Sequence, residues 1–118
     1  MYARRVTMQL KANSVALLTE KMENEILPLL RKQEGFQDAL TFVSLDGVKT
    51  FGISLWETKE NAEAYVKNTY PQVEKILAPL VEGTAHVGGF KVVSSTFHKV
   101  DAVLPETVPV AAPATVPA

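Results

Sequence analysis

The stretch from Lys49 to Tyr65 constrains the fold more than any other part of the sequence, because it joins a strand directly to a helix. Large apolar residues alternate with smaller or polar ones along 49–57, and this is the period of a strand. Trp56 lies at the end of that strand. Thr58 can then cap a helix over about 59–68. The stretch therefore predicts a strand-to-helix corner that holds the chain's one tryptophan.

The rest of the chain shows the same two periods. Pro28 interrupts an apolar stripe at helical spacing and should kink or loosen that helix. Asp46-Gly47 predicts a tight hairpin turn, and Gly88-Gly89 a turn into the last strand. The predicted elements are strand 2–10, helix 14–34, strand 36–45, strand 49–57, helix 59–68, a helix from about 71 to 82, and strand 90–99.

This order predicts an α+β domain over residues 1–100, with a ferredoxin-like β-α-β-β-α-β antiparallel sheet and helices on one face. Several strands are apolar on both faces, and such a sheet needs cover on both sides. We therefore expect a homodimer, sheet against sheet, that forms a dimeric α+β barrel. The two-sided sets are Leu40 and Phe42 against Val43 and Leu45, Phe51, Ile53 and Leu55 against Trp56, and Phe90 and Val92 against Val93 and Phe97.

Residues 101–118 form a Pro/Ala/Val-rich tail, with a proline at every fourth position from Pro105. This composition favours extended, polyproline-like conformations over a packed core. A mobile tail is the first interpretation. Packing of the tail along a partner subunit is the alternative, because the tail is unusually apolar.

Composition excludes several classes of function. The 118 residues make one domain, and a net charge of −1 without a basic stripe argues against nucleic acid as a partner. No apolar run approaches the roughly 18 residues of a membrane span. The absence of cysteine excludes disulfides and thiolate chemistry. With no signal-peptide pattern at the N-terminus, a cytoplasmic location is expected.

Two sequence runs, LWETKENAEAY at 55–65 and ILPLLRKQEGF at 26–36, resemble the antibiotic biosynthesis monooxygenase-like family of dimeric α+β barrels. The resemblance covers residues 2–100. It implies a homodimer and a pocket between sheet and helices. In that pocket some family members oxidise polycyclic aromatic substrates with molecular oxygen and without bound metal or flavin, and others degrade haem.

Only some of the family's site residues are present at the matching positions of this sequence. Trp56 matches the tryptophan at the strand end of the quinone-forming members, but Gly52 stands where those enzymes have a substrate-polarising asparagine. The haem-degrading members use an asparagine, a tryptophan and a histidine, and here the matching positions hold Arg5 or Val6, Tyr65 and Lys75. The resemblance therefore does not extend to haem degradation.

Six residues are candidates for a site. Trp56 and His98 are the catalytic candidates, with His98 expected on the last strand as a general acid or base. Arg5, Ser54, Tyr65 and Tyr70 are the substrate-binding candidates. Ordinary packing or a polar barrel lining is the simpler explanation for most of them. His86 and His98 lack a carboxylate cluster, so a metal site is not expected. The resemblance implies that no cofactor is bound.

Two questions stay open at this level. Alternation points Phe51, Ile53 and Leu55 at the helices, whereas the family register points Trp56, Ser54 and Gly52 there, and an unbulged strand allows one of the two. The function is expected to be a cofactor-independent monooxygenase acting on a small aromatic or quinone-type substrate. The alternatives are a non-catalytic dimeric barrel that binds a small apolar ligand and, third, a haem-binding protein.

Overall fold

The computed structural model describes residues 1–100, so the tail expected at 101–118 lies outside the described residues. The four strands are β1 (Tyr2–Leu10), β2 (Phe36–Val43), β3 (Lys49–Trp56) and β4 (Val81–Lys91). The helices are α1 (Val15–Lys21), a π-helical turn (Met22–Ile26), α2 (Leu27–Arg31), α3 (Lys59–Asn68), α4 (Tyr70–Leu77) and a 3-10 turn (Ala78–Leu80).

The strands form one antiparallel sheet in the order β2-β3-β1-β4. This is the ferredoxin-like α+β architecture that the element order predicted. The central pair is β1 and β3, in which Arg4 lies opposite Ser54 and Val6 lies opposite Gly52. None of the helices within residues 1–100 is long and apolar enough to cross a membrane.

Local sequence chemistry accounts for both ends of β3. At the hairpin, Gly47 has φ 76°, and Ser44 donates a 2.6 Å hydrogen bond to Asp46. The hydrogen bonds from Ser44 and from the Val48 amide lower the pKa of Asp46 below its usual value. At the other end, the Thr58 hydroxyl accepts from the Asn61 amide at 3.1 Å, so it caps α3 as expected.

The first helix is loosened before Pro28, as its sequence predicts. Five residues, Met22–Ile26, form a π-helical turn between α1 and α2, and Pro28 then falls in the first turn of α2. Proline has no amide hydrogen to donate, so a change in the hydrogen-bond pattern next to it is expected. The wider turn places Met22 and Ile26 toward the sheet, where both help to line a cavity.

The last strand begins earlier than predicted. It runs over Val81–Lys91, whereas the prediction was 90–99 with a turn at Gly88-Gly89. Gly83, at φ 71°, lies in a bulge where residues 83–85 face the single residue Met8 of β1. Gly89 is needed inside the strand because a Cβ there would collide with the Tyr2 side chain. Both glycines therefore serve the strand and do not end it.

Candidate functional site

The two faces of the sheet differ in what covers them. Thr50, Ser54 and Trp56 are buried on the side that carries the helices, which we call the helix side. Phe51 is exposed on the opposite side, the open face, where its ring stacks on that of Phe42 at 4.6 Å. The family register of β3 is therefore the observed one. The prediction from alternation alone, with Phe51 turned toward the helices, is wrong because both sides of this strand are apolar.

A cavity of about 70 Å³ lies between the helices and the middle of the sheet, and we call it the inner cavity. Its helical wall is aliphatic and consists of Leu18, Met22, Ile26, Leu30, Val73 and Leu77. The polar atoms lie together at another wall, which is formed by β1, β3, α3 and the start of α4. A mainly apolar pocket with a few convergent polar groups is the usual form of a small-molecule site.

Gly52 contributes space to the inner cavity by lacking a side chain. It lies at the middle of β3, and an added Cβ would meet only the Leu40 carbonyl oxygen, at 3.8 Å. The departure from the family's asparagine thus has a structural consequence. It removes a polar group from the cavity wall and leaves room in its place.

Trp56 lies behind the cavity and does not line it. Its side chain is completely buried, with the ring centroid 5.5 Å from that of Phe36 and 5.0 Å from that of Tyr65. The indole N–H donates a 2.9 Å hydrogen bond to the Ser54 hydroxyl. Trp56 therefore acts on the cavity through Ser54 and Tyr65, which do line it.

Ser54 presents a hydroxyl group to the cavity in a fixed orientation. It is buried, and its oxygen is oriented by the hydrogen bond from Trp56. Within residues 1–100 this is the only hydrogen bond of the Ser54 side chain, so its own O–H is left to donate to a ligand.

Tyr65 and Tyr70 add two phenol groups to the same wall. Their ring centroids are 6.0 Å apart, and both residues line the inner cavity. Burial raises the pKa of Tyr65 to about 12, and the nearby charge of Arg4 offsets only part of this. Tyr65 is therefore a neutral hydrogen-bond donor across the physiological pH range. Three of the predicted substrate-binding residues, Ser54, Tyr65 and Tyr70, are thus brought together.

The fourth predicted residue, Arg5, is not in the cavity. It is exposed on the open face, with its guanidinium carbon 5.0 Å from the centroid of the Phe90 ring. The neighbouring Arg4 takes the expected place, because successive side chains of a strand point to opposite faces. The signal in the sequence was an arginine within the otherwise apolar row of β1 that includes Val6, Met8 and Leu10.

Within residues 1–100, Arg4 is the one charged residue that lines the inner cavity. It is 6% exposed, and its guanidinium carbon lies 4.1 Å from the Tyr70 ring centroid and 5.9 Å from that of Tyr65. Stacking of this kind uses the flat face of the guanidinium group and leaves its N–H edge to donate.

A wider groove of about 540 Å³ meets the inner cavity at Arg4 and Tyr70, and we call it the outer groove. It runs between α3, α4 and the β1–β4 edge, with Tyr2 and Val87 on its strand side. Glu63, Lys67 and Glu74 lie along its helical side. Arg4 and Tyr70 therefore stand at the junction of a small apolar chamber and a larger polar approach.

His98 lies away from both spaces. It follows β4 and is not part of a strand, contrary to the prediction. Its Nε2 atom is buried and lies 3.5 Å from Oδ2 of Asp38 on β2. Asp38 pairs with Leu55 of β3, which is on the open face, so this contact does not lie on the helix side of the sheet. The geometry does not bring His98 to Trp56 or to the inner cavity.

The described part of the chain, residues 1–100, contains no group of three or more histidine, aspartate or glutamate side chains that could hold a metal ion. The polar wall of the inner cavity instead consists of hydrogen-bond donors: the guanidinium of Arg4 and the hydroxyl groups of Ser54, Tyr65 and Tyr70. This set suits an oxygen atom of a ligand that accepts hydrogen bonds.

Comparison of the structure with solved structures identifies the fold. A monooxygenase from the gene ActVA-Orf6 of Streptomyces coelicolor, solved in complex with nanaomycin D, has a TM-score of 0.67 at 17% identity, covering 88% of this chain and 91% of that one. SnoaB, a cofactor-independent oxygenase from Streptomyces nogalater, has a TM-score of 0.65 at 12% identity, with 80% and 95% covered.

A third similar structure is that of a mutant of MhuD with two manganese protoporphyrin IX molecules bound per active site. It has a TM-score of 0.67 at 16% identity, with 80% of this chain and 97% of that one covered. No protein-family profile matches the sequence, and no curated protein matches it either. The chain therefore has the fold of the antibiotic biosynthesis monooxygenase-like proteins. Identities this low establish the fold, and the chemistry has to be argued from the site.

Proposed function

We propose that the chain is a monooxygenase that acts on a small hydroxylated aromatic or quinone-type substrate held in the inner cavity, without a bound metal or flavin. The observation that carries this proposal is the apolar chamber with hydrogen-bond donors gathered on one wall. Similarity in fold to a monooxygenase solved in complex with nanaomycin D and to a cofactor-independent oxygenase supports it.

The chemistry sets clear requirements for the substrate. When a phenol becomes a quinone with O₂ as the oxidant, one oxygen atom becomes the new carbonyl oxygen and the other leaves as water. The substrate supplies all four electrons, so it has to be electron-rich. Donors that stabilise negative charge on the phenol oxygen favour the electron-rich form.

The residues of the cavity meet these requirements in different ways. Ser54 and Tyr65 donate to the phenol oxygen, and Tyr65 remains protonated because of its raised pKa. Tyr70 covers the opening toward the outer groove. Trp56 is a positioning residue, since it orients the Ser54 hydroxyl through a 2.9 Å hydrogen bond.

The second candidate function is a dimeric barrel that binds a small apolar ligand without converting it. One observation favours it: the two residues expected to be catalytic, Trp56 and His98, are both absent from the residues that line the inner cavity in the described chain.

Measurement of oxygen uptake separates the two functions. A monooxygenase consumes O₂ with a panel of one-ring and two-ring hydroquinones and phenols faster than the protein-free solution does, and a binding protein does not.

We also propose that the chain forms a homodimer through its open face. Leu40, Phe42 and Phe90 are each more than 40% exposed there, and Phe51 is 37% exposed. Apolar side chains in such a contiguous set mark an interaction surface. A second sheet packed against this one covers them and completes an α+β barrel.

A further inference from the structure

We infer that Arg4 makes the inner cavity a site for anions, and that its ligand is a one-ring aromatic compound bound with an ionised oxygen at the Arg4 guanidinium. The inference rests on the proposed function in one respect, namely that the inner cavity is the ligand site. It adds the charge and the size of the ligand.

Arg4 has no carboxylate partner among residues 1–100. The ion pairs within residues 1–100 are Lys21–Glu25 and Lys59–Glu63, and Nε2 of His98 lies 3.5 Å from Asp38. None of these contacts involves Arg4. An arginine keeps its charge in a protein interior, and burying a charge without a partner is costly. A ligand that brings a negative charge removes this cost on binding.

The hydrogen-bond donors lie close together on one wall of the inner cavity. The Tyr70 ring lies 4.1 Å from the guanidinium carbon and holds the group by its face. Its N–H edge is then free to bind two oxygen lone pairs at once. Ser54 is the direct neighbour of Arg4 across the β1–β3 pair, so its free O–H lies on the same wall.

The charged side chains around the inner cavity also suit an anion. No acidic residue lines the inner cavity among residues 1–100, so an anion there meets no negatively charged side chain. The acidic side chains nearby, Glu63 and Glu74, lie in the outer groove together with Lys67. They oppose entry of an anion from that side only in part, because solvent in the wider groove screens them.

The size of the cavity limits the ligand. A volume of about 70 Å³ is far below the roughly 300–1,000 Å³ of pockets that enclose drug-sized molecules. It is also below the roughly 150 Å³ of a cavity that holds benzene. A single ring therefore fits only if the flexible side chains of Met8 and Met22 in the lining move, or if part of the ring extends toward the outer groove. Larger fused-ring systems would have to extend into the outer groove.

The test uses 4-nitrophenol, because its ionised form absorbs visible light and its neutral form does not. The full-length protein is titrated with it between pH 5 and pH 8, and the absorbance reports the charge state of the bound molecule. We expect the apparent pKa of 4-nitrophenol to fall by about one on binding, which is a tenfold preference for the anion. Benzoate should compete for the site at least about tenfold better than neutral benzamide.

The decisive variants differ at adjacent positions of one strand. Arg4→Met should abolish the pKa change of the ligand, and Arg5→Met, on the open face, should leave it as in the wild type. Arg4→Met removes an unpaired buried charge and should fold, which far-UV circular dichroism checks. Arg4→Gln is the second neutral variant, and the same result is expected from it.

Three outcomes would overturn the inference: no binding of 4-nitrophenol or benzoate at millimolar concentration, binding of the neutral phenol by the wild type as tightly as the anion, or a ligand pKa that falls in the folded Arg4 variants as much as in the wild type. Oxygen uptake is measured separately. Anion binding without oxygen uptake would leave this inference standing and contradict the proposed function. Oxygen uptake that survives in Arg4→Met, with no preference for anions, would do the reverse.

Discussion

The indole N–H of Trp56 donates a 2.9 Å hydrogen bond to the hydroxyl of Ser54, two residues earlier on the same face of β3. Ser54 is in turn the neighbour of Arg4 across the β1–β3 pair. The tryptophan at the strand-to-helix corner is thus part of the core, and it shapes the cavity by holding one donor in place.

The Trp56–Ser54 hydrogen bond predicts coupling between two substitutions. Ser54→Ala should lower the free energy of unfolding by about 1–3 kcal/mol, because it leaves a buried indole N–H without an acceptor. In a Trp56→Phe background the same change should cost about 1 kcal/mol less, since that N–H is gone. Urea unfolding followed by far-UV circular dichroism measures the cycle. Additive effects would show that the hydrogen bond contributes nothing to stability.

Tyr65 predicts a loss of stability at alkaline pH. Its pKa is about 12 in the folded protein and 10.0 in its reference state, so folding favours the protonated phenol. Its contribution is complete below pH 10 and is lost as the pH rises from 10 to 12. The difference of about two pKa units corresponds to about 3 kcal/mol.

The matched variant for this prediction is Tyr65→Phe. Other groups also titrate above pH 10, so the quantity to compare is the drop in unfolding free energy between pH 9 and pH 11. The drop should be smaller in Tyr65→Phe than in the wild type. Equal drops in the two proteins would mean that Tyr65 ionises as an exposed phenol does.

Gly52 predicts that the cavity can be filled without harm to the fold. An added methyl group at this position meets only the Leu40 carbonyl oxygen, at 3.8 Å, so Gly52→Ala should be as stable as the wild type or up to about 1 kcal/mol more stable. Binding of 4-nitrophenol should weaken in Gly52→Ala and fall at least about tenfold in Gly52→Val.

Gly88→Ala is the control for the Gly52 variants. It places a methyl group on the open face, because Gly88 pairs with Arg5. The nearest atoms to that methyl group belong to the Phe90 ring, which is on the exposed face and can move. Ligand binding should be unchanged in this variant. If Gly52→Val bound 4-nitrophenol as well as Gly88→Ala does, the inner cavity would not be the binding site.

The open face predicts the oligomeric state. Size-exclusion chromatography with light scattering should find a dimer at micromolar concentration. Phe42→Lys should give a folded monomer, because it removes the stacked Phe42–Phe51 pair and places a charge at the interface. Val66→Lys, at a helix position that is 37% exposed against 41% for Phe42, is the control and should remain dimeric. A monomeric wild type would contradict the argument from two-sided strands.

The parts of the fold that depend on local chemistry could be predicted from the sequence. The Thr58 cap, the Asp46-Gly47 turn and the loosened helix before Pro28 all follow from neighbouring residues. The start of β4 could not be predicted in this way. Gly83 lies in a bulge opposite Met8 of β1, and a Cβ at Gly89 would collide with the Tyr2 side chain of the same strand. Long-range pairing decides such glycines, and their own neighbourhood resembles a turn.

The site could be predicted only in outline for a similar reason. Ser54, Tyr65 and Tyr70 do line one cavity, but Arg5 was expected there and Arg4 is found instead. When a strand has apolar residues on both faces, the hydrophobic pattern does not tell which face the helices cover. His98 was expected on a strand, and its actual contact with Asp38 depends on the path of the chain after β4.

The most direct test of the proposed function is oxygen labelling. The full-length protein is incubated under ¹⁸O₂ with a one-ring phenol that binds the inner cavity, and the product is analysed by mass spectrometry. We predict that each quinone molecule carries one ¹⁸O atom, that it forms faster than without protein, and that Gly52→Val loses this excess. Product formation no faster than in the protein-free solution, or a rate unaffected by filling the cavity, would contradict the proposal.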